Sequence, residues 1–136
     1  MNSNARRIVT ALMVAGALGC GEATSSGSSD QPGTAVVSMT SSNTADGAVF
    51  ITVRGPGLSG ASAANSAYTV FSRLVGPSEL NVIVLGGSVA PGDLVTIPVG
   101  AVNRLSAYSV RIEQVATQED SLRSDLSQYR ATLSSH

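Results

Sequence analysis

Of 136 residues, one is cysteine, one is histidine, and none is tryptophan or lysine. Each scarcity removes a class of chemistry. A single cysteine, Cys20, makes no intrachain disulfide, so a fold exported to an oxidising compartment is held by packing alone. The single histidine, His136, is the last residue. A Ser-His-acid triad needs a histidine clamped between two partners, and chain ends fray. Zinc and iron sites want several His or Cys ligands, which one of each does not supply. Without tryptophan, a carboxylate pair of the glycosidase type lacks the aromatic platform expected beside it. The eight basic residues are all arginines, set against nine acids. No basic stripe is present, which excludes nucleic acid as an expected partner, and no polybasic membrane patch is present either.

The chain has one long apolar run. Arg6-Arg7 precede it, Ile8 to Leu18 form it, and Gly19-Cys20 close it. At about 11 residues it suits the apolar region of a signal peptide and is too short to span a bilayer as a helix. Downstream the composition changes at once to Gly21-Glu22-Ala23-Thr24-Ser25-Ser26-Gly27-Ser28-Ser29. Ala17-Leu18-Gly19-Cys20 resembles the lipobox of bacterial lipoproteins, with Ala17 where leucine is commoner. That resemblance implies cleavage between Gly19 and Cys20, a diacylglyceryl group on the Cys20 sulfur, and an amide-linked acyl chain. Two or more chains are what stable anchoring requires. Arg6-Arg7 also suggests a twin-arginine signal, but Ile8-Val9-Thr10 lacks the usual large apolar pair. Gly21, in place of the aspartate that favours inner-membrane retention, points to the outer membrane if the envelope has two membranes.

Residues 1–19 are thus expected to be a lipoprotein signal peptide, 20–33 a lipidated cysteine and flexible tether, and 34–136 a folded domain. A Ser/Gly-rich tether of this length has a root-mean-square span of roughly 20 Å. The mature 117 residues carry six arginines and nine acids, a formal charge of −3, and suffice for one domain with its own core.

Past Pro32-Gly33 the pattern is short β-rich runs between turn residues: 35–39, 48–54, 68–75, 80–85, 94–99, 108–115 and 125–133. Asp46-Gly47, Gly55-Pro56-Gly57 and Ala90-Pro91-Gly92-Asp93 supply turn chemistry. In 108–115, Tyr108, Val110 and Ile112 are expected inward, and Ser109, Arg111 and Glu113 outward. Pro98 inside a run implies an edge or a bulge. Residues 61–67 suit a short helix or loop, and 117–124 a polar loop. The whole predicts an all-β chain, a small antiparallel β-sandwich of about seven strands. The opening Val-Ser strand, the Asp-Gly turn, the strand ending in Gly-Pro-Gly, Leu80-x-Val-Ile-Val and the Pro91-Gly-Asp-Leu turn resemble cohesin-type and related immunoglobulin-like sandwiches over 35–133. The resemblance implies a nine-stranded jelly-roll-like sandwich or a trimmed version of one. It identifies no dockerin-recognition surface.

Three constellations bear on chemistry. Gly55-Pro56-Gly57-Leu58-Ser59-Gly60 fits the dinucleotide fingerprint, with Glu79 about 20 residues on. Only seven residues separate Gly60 from Tyr68, too few for the parallel crossover that fingerprint needs, so the segment reads as an inter-strand loop. Glu119, Asp120 and Asp125 offer oxygen ligands for Ca²⁺, at a spacing unlike an EF-hand; a solvated acidic loop is the other reading. Phe50, Tyr68, Phe71, Tyr108 and Tyr129 fall in predicted strands and read as core, with one or two of them open to lining a surface. Tyr129 is the candidate for a tyrosine-corner-like hydrogen bond. The expected function is that of a membrane-anchored cell-envelope lipoprotein. Its sandwich, without cofactor or catalysis, binds another macromolecule, protein or polysaccharide. The alternative is a small-ligand or Ca²⁺-binding envelope protein.

Overall fold

Residues 27–136 are described by the computed structural model; Cys20, with the expected signal peptide and the first residues of the expected tether, lies outside them. Strand alternation sorts the chain into eight strands: β1 (Gly33–Thr40), β2 (Asp46–Arg54), β3 (Ser62–Ala63), β4 (Thr69–Gly76), β5 (Glu79–Val89), β6 (Gly92–Val99), β7 (Ser109–Ala116) and β8 (Arg130–Ser135). A short 3-10 helix, Val102–Ala107, joins β6 to β7. The strands form two antiparallel four-stranded sheets of order β3-β6-β1-β8 and β4-β5-β2-β7, packed as a sandwich. The pairs β1–β8, β2–β7, β3–β6 and β4–β5 are nested, as in one long hairpin rolled onto itself.

The core lies between the sheets. Val49, Ile51 and Val53 of β2 and Leu80, Val82 and Val84 of β5 meet Ala35, Val37 and Met39 of β1 and Val95 and Ile97 of β6. All are at most 1% exposed. Burying each large aliphatic side chain contributes roughly 1.5–3 kcal/mol, and the ordering of the chain offsets most of that sum.

The all-β sandwich predicted from the sequence is the one observed, with eight strands. Several boundaries differ for identifiable reasons. Asp46-Gly47 is not a turn; it opens β2, and the connection is the loop 41–45 before it. Gly86-Gly87 does not end β5, which runs on to Val89 across a register shift opposite Asp46 and Ala48. In β7 the alternation holds through Ile112. Glu113 is then an extra residue between the pairs Ile51–Ile112 and Phe50–Gln114, and this bulge turns Val115 into the core. The last strand starts at Arg130, leaving 117–129 as a long loop. The stretch 61–67 holds the two-residue β3. Because β3 reaches only Thr96 and Val95, Pro98 sits where β6 has an open side; the bulge in that pair lies instead at Val37/Ser38.

Candidate docking face

β5 is apolar on both faces. Leu80, Val82 and Val84 enter the core, while Ile83 and Leu85 point away from it, 42% and 37% exposed. A strand apolar on both sides is ordinarily covered on both. Here, among the described residues, the outer side of the β4-β5-β2-β7 sheet carries no further layer.

Register assembles that face in rows. Thr69, Leu85, Ala48 and Ala116 form one; Phe71, Ile83, Phe50 and Gln114 the next; Arg73, Asn81, Thr52 and Arg111 the third; Glu79, Arg54 and Ser109 the last. The first two rows are largely apolar and the last two polar. Phe71 is 58% exposed, and Leu122, bridged to Ala116 at the end of β7, is 66% exposed. Phe50 is the shared wall of two shallow depressions. One, of about 340 Å³, is bounded also by Ala48, Ile83, Gln114, Ala116 and Leu122. The other, of about 240 Å³, is bounded by Phe71, Arg73, Asn81 and Ile83. In the polar half, Arg54 Nε donates to Glu79 Oε2 at 2.7 Å, and Thr52 Oγ1 donates to Asn81 Oδ1 at 3.2 Å. The face thus combines an apolar strip with charges of both signs beside it.

The loop 117–129 is pinned by a carboxylate that the sequence disguised as a turn residue. Asp46 is fully buried. Its Oδ1 accepts from Arg123 Nε and Nη2, each at 2.7 Å, and its Oδ2 accepts from the Tyr129 hydroxyl at 2.8 Å. Asn43 Nδ2 donates to Tyr129 Oη at 2.9 Å. The bond to Asp46 raises the Arg123 pKa, against a smaller opposing effect of burial. Burial first, and then Asp46, raise the Tyr129 phenol above its ordinary value. Tyr129 therefore serves a side-chain cluster. The tyrosine with the corner-like backbone bonds is Tyr108, whose hydroxyl donates to the Pro56 carbonyl at 2.7 Å and accepts from Ala101 N–H at 2.9 Å.

That tyrosine also explains the glycine-rich loop. Gly55 has φ of +155°, and a Cβ there would lie 2.0 Å from the Tyr108 ring; at Gly57, with φ of +68°, it would lie 2.6 Å from Gly100 Cα. These glycines permit close approach of protein to protein, with no crossover helix behind them.

The acids Glu119, Asp120 and Asp125 share the loop without converging. Asp120 takes a left-handed backbone, φ 59°, and Asp125 Oδ1 accepts the Ser127 N–H at 2.8 Å. That bond, with a further one from the Ser127 side chain, holds the Asp125 carboxyl below its usual range. Among the described residues, no group of three or more His, Cys, Asp or Glu side chains is placed to hold a metal ion. Of the predicted aromatics, Tyr108 and Tyr129 are buried and Tyr68 packs half-buried against the core, whereas Phe50 and Phe71 stand on the outer face. Neither phenylalanine was separable from a core residue by spacing; the signal present was the unbroken apolarity of 82–85.

The end of the tether is fastened to the domain. Val102 N–H donates to the Gln31 carbonyl at 2.8 Å, and Gln31 N–H donates to Asn103 Oδ1 at 3.0 Å. Asn103 Nδ2 donates to the Ser29 carbonyl at 3.1 Å, and Asp30 pairs with Arg104. The chain therefore joins the sandwich at the end that carries Arg54, Glu79 and Ser109, away from Leu122. Among the described residues no helix is long and apolar enough to cross a membrane. No family model, no curated protein and no solved structure matches the chain.

Proposed function

We propose that this chain is an exported, lipid-anchored cell-envelope protein whose non-catalytic sandwich binds another macromolecule through the outer face of the β4-β5-β2-β7 sheet. The observation that carries the reading is the uncovered apolar strip of Phe71, Ile83, Leu85 and Phe50. The largest apolar patch on a typical monomer is a few hundred Å² in area and is often functional. The anchor rests on the lipobox-like Ala17-Leu18-Gly19-Cys20 and on the Ser/Gly-rich residues after it. The cohesin-type resemblance enters only as a likeness of architecture. Glu119, Asp120 and Asp125 do not converge on a common point, which leaves the Ca²⁺-binding alternative without a favouring geometry among the described residues.

The test has two parts. Cells fed a clickable palmitate analogue should label the wild-type chain, and Cys20→Ser should abolish the label and release the protein from membranes. Phe71→Glu should leave labelling intact and reduce the size of the complex that membranes yield on native gels. An unlabelled wild type removes the anchor, and an unchanged complex in Phe71→Glu removes the docking face.

A further inference from the structure

We propose that the occupant of this face is a second copy of the same chain, packed sheet to sheet about a two-fold axis that runs along the strands between β2 and β5. The inference rests on the docking reading above and names its partner.

Packed sheets keep their strands within about 30° of each other and lie ~10 Å apart, with the twist of each sheet setting the angle. A second copy brings a sheet of identical twist. The register then decides which axis fits. β2 and β5 are in-register neighbours at the centre of the sheet, so an axis between them lays each β2 residue over its own β5 partner in the other copy. Phe50 meets the second copy's Ile83, and small Ala48 meets the second copy's larger Leu85. Arg54 meets the second copy's Glu79, so the existing 2.7 Å pair becomes a four-member alternating cluster. Leu122, above β7 and β2, comes over the second copy's β4 and β5, where Phe71 and Leu85 stand. At the centre of the face apolar surface covers apolar surface and Arg54 faces Glu79, while Phe71 lies over the second copy's Gln114, beside Leu122.

Area and attachment agree with this. The exposed parts of Phe71, Ile83, Leu85 and Leu122 come to roughly 400 Å², about half of the ~800 Å² per partner of an ordinary stable interface, and the polar rows beside them add to the face. An axis along the strands also keeps both tether ends, fixed beside Asn103, at the same end of the pair. Two copies anchored in one membrane can then meet without either inverting.

One contact is unfavourable. Arg73 on β4 and Arg111 on β7 lie in the same row at opposite edges, so the axis places each Arg73 over the second copy's Arg111. This like-charge contact gives the proposal a signature that a generic apolar patch lacks. Arg73→Glu should strengthen the pair, because it turns two repulsions into two attractions.

The experiment uses the full chain in its own membranes. Cys20 is the natural cysteine, and on the lipoprotein reading its sulfur is acylated, so an introduced cysteine is the reactive thiol. Ile83→Cys, beside the axis, and Thr132→Cys, on the outer side of the other sheet, are treated with a short bis-maleimide. Ile83→Cys should give a covalent homodimer and Thr132→Cys none. Adding Arg73→Glu to Ile83→Cys should raise the dimer yield severalfold, and adding Phe71→Glu should lower it about tenfold. Equal yields at positions 83 and 132, or a lower yield with Arg73→Glu, overturn the two-fold pair. Ile83→Cys crosslinked only to a different protein overturns the second copy and leaves the docking face standing. No crosslink to any protein, with native-gel complexes unchanged by Phe71→Glu, overturns both.

Discussion

Asp46 shows how a residue's type and its local sequence can point in different directions. Asp-Gly is turn chemistry, yet the strand pairing draws Asp46 into β2 and buries it completely, where two arginine nitrogens and a tyrosine hydroxyl make up for the lost water. Asp46→Ala should cost about 3 kcal/mol in urea unfolding, because it strands Tyr129 and frees the loop 117–129. Tyr129 makes the cluster sensitive to alkali. Its phenol titrates above the ordinary 10.0, chiefly through burial and then through Asp46. A raised folded value means that the neutral form is the one folding favours. The stabilisation is therefore complete below the unfolded value and is lost as pH rises through the folded one. Stability should fall as pH climbs above about 10, and Tyr129→Phe should flatten that part of the curve. Gly55→Ala should destabilise by about 2 kcal/mol or more, since its methyl would enter the Tyr108 ring and its backbone is one L-residues avoid. Both variants are read by the same unfolding curves. None of these three roles was visible in the sequence, because each depends on which distant residue the fold delivers.

At the level of elements, alternation carried most of the information. β1, β2, β6 and β7 follow apolar-polar patterns that fix their inner faces, and the turn residues mark most of the gaps. The departures arise where pairing overrides composition. β5 continues through two glycines because it runs on toward its partner Asp46, and β7 changes phase at Glu113 because a bulge adds a residue there. β3 has two residues and no period to detect. The same topology orders local stability. β1, β2, β5 and β6 have neighbours on both sides, whereas β4, β7, β8 and the two-residue β3 are edges. Amide hydrogen exchange should be slowest in β2 and β5 and fastest, among strands, in β4 and β8. Slow exchange along β4 in a membrane-extracted complex would mean that a partner strand has added to that edge.

The whole molecule combines an attachment at one end with an apolar sheet face along one side. The proposed attachment rests on Cys20 and its context alone, because such signals are linear. The sequence did not separate the docking face from the core. A run such as Val82-Ile83-Val84-Leu85 has the same pattern whether its second side is covered within the chain or outside it, and the two phenylalanines lie in phase with it on either account. Coverage is a property of the assembled layers: the described residues supply two, and the proposal gives the third place to a partner. That claim is tested most directly by reactivity in intact membranes. Chains carrying Ile83→Cys or Thr132→Cys beside the acylated Cys20, treated with a membrane-impermeant maleimide after the outer leaflet is opened, should differ: position 132 labels at once, and position 83 is protected until mild urea separates the complex. Equal, immediate labelling at both positions would show the face to be bare in the envelope and contradict the account.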